Sequence, residues 1–227
     1  MRNLSESGLA STGFLIVFDC DGVLVDSERL TQDVDMRMIS ELGWPITRDE
    51  IFEQHLGRSE LAIVANIEQK LGRPLPADFI DERRVACAEA YRQRLTQIEG
   101  VSDAIELLQA AGFATCVASS GTHVRIRLML ELTGLRQPFG DRIFSAEDVK
   151  RGKPSPDLFL HAAETMGYLP ESCIVVEDSP SGVAAALAAK MPVVGYCALT
   201  PAQALKDASA LVSDMRHLTS AIRGLTS

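Results

Sequence analysis

The chain has 227 residues, of which 46% are apolar and 23% are charged, so its composition is that of a folded globular protein. Collagen-like, coiled-coil and largely disordered chains are thereby excluded. The 31 acidic residues outnumber the 22 basic ones and give a net charge of −9, and no basic run exceeds two residues. This charge argues against a nucleic acid as partner.

The cysteines and the first apolar segment indicate the cellular compartment of the chain. Its five cysteines include no C-x-x-C pair and are odd in number, so we expect free thiols in a reducing cytoplasm. The first apolar run, residues 14–18, is five residues long and stops at Asp19. Because secretory and membrane-spanning segments are longer, the sequence predicts no association with a membrane.

Short apolar runs that end in polar residues recur along the chain. Runs of this kind, apolar on both faces, are typical of strands in a parallel sheet that is covered by helices on each side. In chain order, the predicted strands lie at residues 14–19, 113–119, 142–145, 173–178 and 192–197.

Helical patterns separate the later strands. Apolar residues repeat at helical spacing over 101–111 and 123–132, and further helices at 157–166 and 183–190 follow Ser155-Pro156 and Ser179-Pro180. A serine before a proline favours a helix start, because the hydroxyl caps a free N–H and proline needs none in the first turn. The alternation predicts an α/β fold with a doubly wound parallel sheet.

A long interval separates the first two predicted strands. More than ninety residues lie between Asp19 and Phe113, whereas a strand-helix-strand unit takes about thirty. Apolar residues recur there at helical spacing, at Leu30, Val34, Met38 and Leu42 and again at Leu61, Val64, Ile67 and Leu71. We therefore expect a helical cap domain at 27–97 and an α/β core domain at 1–26 and 98–227.

Polar residues follow several of the predicted strands, where an open α/β sheet binds its ligand. The motifs are Asp19-Cys20-Asp21-Gly22, Ser119-Ser120-Gly121 and Glu177-Asp178-Ser179, together with Gly152-Lys153-Pro154 ahead of a helix. We expect their four carboxylates, two hydroxyls and one ammonium group to converge at one edge of the sheet.

Carboxylates that crowd together in a partly dry cleft repel each other and need a cation. Mg²⁺ binds one or two carboxylates together with waters and phosphate oxygens, so the pattern indicates phosphate chemistry. Each motif alone has an ordinary structural explanation, because Asp and Gly are common in turns, serines cap helices and most lysines are solvated. Their joint occurrence at separate strand ends favours a site.

Together these motifs resemble those of the haloacid dehalogenase-like hydrolase superfamily, in its subgroup with a helical cap after the first strand. The resemblance covers nearly the whole chain from residue 14 and rests on four segments in family order: FDCDGVLVDSE (18–28), ASSG (118–121), KPSPD (153–157) and VEDSPSG (176–182). It implies a Rossmann-like core and an activity close to that of sugar-phosphate phosphatases and β-phosphoglucomutases.

The resemblance also implies a role for each matching residue. Asp19 would be the nucleophile that becomes an aspartyl-phosphate, and Asp21 the general acid and base. Ser119, Ser120 and Lys153 would hold the phosphoryl group, and Lys153 also counts as catalytic because fixed charge supplies most of the acceleration. The implied Mg²⁺ ligands are acidic residues, with Asp21 acting through its backbone carbonyl and Glu177 directly or through water: Asp19, Asp21, Glu177 and Asp178.

The cap is expected to select the substrate. The segment Gly57-Arg58-Ser59 resembles the specificity loop of related capped enzymes, and it equally fits a turn in which Ser59 caps the next helix. Two positions depart from the β-phosphoglucomutases. Thr31 stands where they carry a histidine that assists proton transfer, and Glu60 stands where they carry a basic residue for the distal phosphate.

The leading hypothesis is a Mg²⁺-dependent phosphatase of a small phosphorylated metabolite, such as a sugar phosphate. A sugar phosphomutase is the second hypothesis, and a non-catalytic phospho-ligand-binding protein is the third. Asp21 argues against a dehalogenase, because the relatives with that activity lack the second aspartate. The sequence leaves the oligomeric state open and is compatible with a monomer.

Overall fold

The computed structural model describes residues 13–55 and 60–226, except for the side chains of residues 52 and 53. In this part of the chain six parallel strands form one sheet: β1 (Leu15–Phe18), β2 (Ala114–Ser119), β3 (Ile143–Ser145), β4 (Cys173–Glu177), β5 (Val193–Tyr196) and β6 (Ala210–Val212). The spatial order β3-β2-β1-β4-β5-β6 reverses between β1 and β4, which is the switch point of a doubly wound fold. The predicted fold class is confirmed.

The helices of the same part of the chain are α1 (Glu28–Glu41), α2 (Arg48–Gln54), α3 (Glu60–Leu71), α4 (Phe79–Arg94), α5 (Val101–Ala110), α6 (His123–Leu132), α7 (Arg136–Phe139), α8 (Asp157–Met166), α9 (Pro180–Ala188) and α10 (Leu218–Leu225). Within 13–55 and 60–226, none of them combines the length and the apolar character that a bilayer crossing requires.

The observed elements differ from the predicted ones at several points; α7 was not predicted, and α9 begins at Pro180 and not at residue 183. Strand β6 was not predicted; it is an edge strand of which only Val212 is buried, so it lacks the buried apolar run of the other strands. Of the two Ser-Pro signals, Ser179 caps α9, and its hydroxyl accepts the Gly182 N–H at 3.0 Å. The Ser155 hydroxyl instead donates to Asp157 Oδ1 at 2.6 Å, so this serine is not the cap of α8.

Alternate residues of the strands pack into opposite layers. Ile16 and Phe18 face a core cluster that includes residues of α5, α6 and α10, and Phe18 meets the Phe139 ring edge to face at 5.8 Å. Leu15 and Val17 face the other layer, which α8 and α9 supply. Both layers bury apolar side chains completely, so β1 lies at the centre of the molecule. The strand therefore fixes the position of Asp19, the residue that follows it.

Helices α1 to α4 lie between β1 and β2, and we call them the helical insert. Its buried residues, among them Val34, Phe79 and Tyr91, belong to the same hydrophobic cluster as those of α5 and α6. Val25 and Gln97 form an antiparallel bridge where the chain leaves and re-enters the core. The domain boundaries at 26/27 and 97/98 stay a prediction.

An ion pair is buried inside the helical insert. Arg83 on α4 donates from Nε to Asp35 Oδ1 at 2.6 Å and from Nη2 to Asp35 Oδ2 at 2.8 Å. The two side chains are only 11% and 4% exposed. Asp35 shares the buried face of α1 with Met38 and Ile39, so removal of its carboxylate would leave the Arg83 guanidinium with only the longer contact to Glu60, at 3.9 Å.

We expect Asp35→Ala to lower the free energy of unfolding by about 3–5 kcal/mol, the usual cost of breaking a buried pair. Asp33→Ala is the matched control on the same helix, because its ion pair with Arg48 is 38% and 49% exposed, and its loss costs about 0–1 kcal/mol. Chemical denaturation of the two variants measures the difference. Equal losses would show that the Asp35–Arg83 pair does not stabilise the insert beyond a surface contact.

Candidate active site

The predicted site residues meet at one edge of the sheet. The backbone N–H of Asp19 donates to Val176 O at 2.9 Å, which places the ends of β1 and β4 side by side at the switch point. A cavity of about 810 Å³ opens there between the core and the helical insert. Its lining includes all seven residues predicted for catalysis, phosphate binding and metal binding: Asp19, Asp21, Ser119, Ser120, Lys153, Glu177 and Asp178.

Lys153 lies at the centre of this group. Its Nζ donates to Asp19 Oδ1 at 2.5 Å, to Glu177 Oε1 at 2.8 Å and to the Ala118 carbonyl at 3.1 Å. Burial alone would lower the pKa of Lys153, but the attraction of the two carboxylates outweighs it and raises that pKa above its usual value. Lys153 therefore stays charged and joins the ends of β1 and β4.

The carboxylates exceed the nearby positive charge. Burial, together with the charges of Glu177 and Asp21, raises the pKa of Asp19 to about 8 despite the contact with Lys153. Burial also raises the pKa of Asp178 well above its usual range, and the charges of Glu28, Glu177, Asp19 and Asp21 add to the effect. The site thus favours the arrival of a cation or of protons.

Two glycines allow the backbone to approach these carboxylates. A Cβ on Gly22, whose φ is +72°, would lie 2.0 Å from Asp178 Oδ2, and one on Gly182 would lie 1.7 Å from Glu177 Oε1. Ser179 also holds Glu177, since its N–H and its hydroxyl each donate to Oε2 at 2.9 Å. The turn after β1 and the first turn of α9 therefore lie directly against the acidic pair.

The predicted metal ligands differ in how many hydrogen bonds they already accept. Within the described residues, no three acidic, histidine or cysteine side chains form a ready cluster. Lys153 and Ser179 already engage the Glu177 carboxylate, whereas the Asp178 carboxylate accepts no hydrogen bond from the described residues although Asp178 is only 4% exposed. Because Mg²⁺ needs only one or two carboxylates, Asp19 and Asp178 fit this ion.

Three residues of the site were not predicted. Arg125 on α6 donates from Nη1 to Asp21 Oδ2 at 3.0 Å and from Nη2 to Asp21 Oδ1 at 2.5 Å. Tyr91 accepts from Arg125 Nη2 at 3.1 Å. Glu28 lines the cavity, and burial followed by the charges of Asp21 and Glu177 raises its pKa to about 7. A signal existed for Arg125, which shares the apolar face of α6 with Met129.

The residues expected to select the substrate cannot be placed in the same way. Gly57, Arg58 and Ser59 lie outside the described residues. Thr31 and Glu60 both line the cavity, and the Thr31 hydroxyl contacts the backbone carbonyl of Ser27 at 3.0 Å and the Tyr91 hydroxyl at 2.7 Å.

Comparison with known proteins gives consistent matches over most of the chain. The model of the family described as haloacid dehalogenase-like hydrolase matches residues 15–190. The 6-phosphogluconate phosphatase of Escherichia coli K12 is 32% identical over 183 residues, which are 81% of this chain and 82% of that protein. Hexitol phosphatase A of the same organism is 28% identical over 91% of this chain and 93% of its own. A crystal structure of a HAD family hydrolase from Deinococcus radiodurans R1 with bound phosphate and sodium is 31% identical, with a TM-score of 0.78 over 95% of this chain and 97% of that chain.

The raised carboxyl pKa values predict how stability depends on pH. The folded pKa values of Glu28 and Asp19, about 7 and about 8, exceed those of the unfolded chain. Between the carboxyl pKa of the unfolded chain and these higher folded values, the folded protein keeps protons that the unfolded chain has lost. The free energy of unfolding therefore falls as the pH rises across this range.

In EDTA we therefore expect a melting temperature several degrees lower at about pH 8 than at about pH 5.5, because each kcal/mol corresponds to about 2–4 °C in a chain of this size. Mg²⁺ at the higher pH is expected to raise the melting temperature again. Glu28→Gln is expected to reduce the pH dependence. Equal or higher stability at the higher pH in EDTA would contradict the predicted charge excess.

Proposed function

The chain belongs to the haloacid dehalogenase-like hydrolase family, and we propose that it is a Mg²⁺-dependent phosphatase that acts on a small sugar or polyol phosphate through an aspartyl-phosphate. Its named relatives are phosphatases, so the chain is a phosphoric monoester hydrolase. The observation that carries the proposal is the contact of one buried ammonium group, that of Lys153, with both Asp19 and Glu177 at the switch point of the sheet.

Asp19 is the nucleophile in this proposal. One of its carboxylate oxygens forms a bond to phosphorus while the bond from phosphorus to the substrate oxygen breaks, and this divides one difficult displacement into two. Position supports the role, because Asp19 follows the central strand and its carboxylate is 9% exposed beside the cavity. Such a group is shielded from bulk water yet open to a bound substrate.

Asp21 moves the proton in both steps. In the first, it donates a proton to the departing alkoxide. In the second, it takes a proton from the water that attacks phosphorus, the bond from phosphorus to Asp19 breaks, and inorganic phosphate leaves. Asp21 is two residues beyond Asp19 and lines the same cavity, which supports this division of roles.

Ser119, Ser120 and Lys153 hold the phosphoryl group. Ser119 ends β2 and Ser120 precedes α6, so the positive end of that helix adds to the charge of Lys153. Phosphoryl transfer depends mainly on fixed positive charge around the phosphoryl oxygens and on in-line positioning. This requirement explains why a buried lysine stands beside the nucleophile.

Asp19 and Asp178 would hold Mg²⁺, together with the backbone carbonyl of Asp21. When bound, the ion neutralises charge on the phosphoryl oxygens. The excess of carboxylates over cations in the site supports this assignment, as does the unpartnered Asp178 carboxylate described above. Glu177 contributes its charge while its oxygens bind Lys153 and Ser179.

The cavity and the relatives support the substrate class. About 810 Å³ between the core and the helical insert accommodates a small metabolite. The two named relatives act on a phosphorylated sugar acid and on hexitol phosphates, as their names state. We propose that this chain takes a substrate of the same chemical class.

Replacement of the nucleophile tests the proposal. We expect Asp19→Asn to lower the hydrolysis of p-nitrophenyl phosphate by at least about 10⁴-fold, because an amide oxygen is a poor nucleophile and removal of a nucleophile has effects of this size in other enzymes. EDTA is expected to stop the wild-type reaction and Mg²⁺ to restore it. Phosphate release is the measurement.

Asp33→Asn, an exposed change on α1, is the control and should retain wild-type activity. Substantial turnover by Asp19→Asn would remove Asp19 from its role. Binding of phosphorylated metabolites by the wild-type chain, without hydrolysis over a broad panel, would favour a non-catalytic binding protein.

A sugar phosphomutase would give a different product. The Thr31 hydroxyl stands where β-phosphoglucomutases carry the assisting histidine, and its contacts to Ser27 and Tyr91 occupy it. We therefore expect phosphorus NMR to show only inorganic phosphate after incubation with glucose 1-phosphate or another substrate from the panel. An isomeric phosphate ester would instead identify a mutase.

A further inference from the structure

The Asp21 carboxylate closes a ring of hydrogen bonds that joins the core to the helical insert. Arg125 on α6 binds both oxygens of Asp21, and the Ser27 hydroxyl donates to Oδ1. From Ser27 the ring continues through its backbone carbonyl to the Thr31 hydroxyl at 3.0 Å and then to the Tyr91 hydroxyl at 2.7 Å. Arg125 Nη2, at 3.1 Å from the Tyr91 oxygen, completes it.

The ring permits one arrangement of its hydroxyl protons. Thr31 gives its single hydroxyl proton to the Ser27 carbonyl, so it must accept at its contact with Tyr91. Tyr91 therefore donates to Thr31 and accepts from Arg125. The Tyr91 hydroxyl thus fixes the Arg125 guanidinium, whose Cζ also lies 5.6 Å from the centroid of the Tyr91 ring.

This arrangement makes the two oxygens of Asp21 unequal. Oδ1 accepts from Arg125 and from Ser27, whereas Oδ2 accepts only from Arg125. A carboxylate offers about four lone-pair positions, two on each oxygen. The remaining position is on Oδ2, so the orientation of the guanidinium determines which oxygen of Asp21 is open to a further hydrogen-bond partner.

We propose that Arg125 and Tyr91 are positioning residues that direct Oδ2 of Asp21 towards the oxygen of the leaving group. The inference rests on the proposed function, in which Asp21 protonates that oxygen. Arg125 belongs to α6 of the core and Tyr91 to α4 of the helical insert. The contact between these two helices therefore sets the orientation of the general acid.

Leaving groups of different basicity isolate this role. p-Nitrophenolate departs readily without a proton, whereas phenolate is more basic and depends more on a general acid. Phenyl phosphate and p-nitrophenyl phosphate share their ring and their phosphoryl group. A change that merely disturbs the fold or substrate binding should therefore lower kcat/KM equally for both.

Arg125→Lys keeps the positive charge but cannot bind both carboxylate oxygens in the same way. We expect it to lower kcat/KM for phenyl phosphate by about 100-fold, the usual effect of a small misplacement of a catalytic group. Its effect on p-nitrophenyl phosphate should be at least about tenfold smaller. Tyr91→Phe removes one hydrogen bond to Arg125 and should lower kcat/KM for phenyl phosphate by about tenfold, with the same preference.

Arg127→Lys is the matched control, because Arg127 lies two residues further along α6 and is exposed. Unequal losses confined to the Arg125 and Tyr91 variants would support the proposal. Equal losses for both substrates, or the same pattern in Arg127→Lys, would overturn it. The proposed function has a separate test, which is whether the wild-type chain hydrolyses the substrate and Asp19→Asn abolishes that hydrolysis. Failure of the proposed function is therefore distinguishable from failure of this inference.

Discussion

The buried ammonium group of Lys153 stabilises two carboxylates that the fold places side by side at the centre of the molecule. In the parallel pairing of β1 and β4, Phe18 lies opposite Val176, so the next residues, Asp19 and Glu177, are forced together at the strand ends. Two carboxylates in a dry environment repel each other. Lys153, which reaches them from the loop before α8, offsets this repulsion, and a neutral side chain there would leave the pair uncompensated.

The helical insert is tied to the same site by polar contacts as well as apolar ones. Its apolar residues belong to the core cluster, and the hydrophobic interactions in that cluster are not directional. The hydrogen bonds that join Thr31 and Tyr91 to Arg125 and Asp21 are directional and define one arrangement. The position of the insert is therefore coupled to the geometry of Asp21, so a wall of the cavity and the proposed general acid belong to one hydrogen-bond network.

The sequence was informative where one local pattern determines the structure. The apolar strands located Asp19, Glu177 and Asp178, because a continuous apolar run that stops at a carboxylate marks both the strand and its end. The Ser-Pro pattern correctly predicted the helix cap at Ser179 but not at Ser155. The Ser155 hydroxyl donates instead to the Asp157 carboxylate, two residues away.

Contacts across the fold were beyond such patterns. Tyr91 follows Cys87 at helical spacing on the buried face of α4, which is the pattern of an ordinary core aromatic, and its partners are 34 and 60 residues away in the chain. The helical spacing of Arg125 and Met129 indicates that Arg125 faces the core, but its partner, Asp21, follows only from the tertiary structure.

The hydrogen bonds of Lys153 also limit how a phosphoryl group can bind. An ammonium group has three protons, and Asp19, Glu177 and the Ala118 carbonyl accept all three. A phosphoryl oxygen that binds Lys153 must therefore replace one of these acceptors. Glu177 would keep its two bonds from Ser179 after such an exchange. Asp19 accepts no other side-chain hydrogen bond from the described residues, so an exchange at Asp19 would both bind the phosphoryl group and free the carboxylate oxygen beside it.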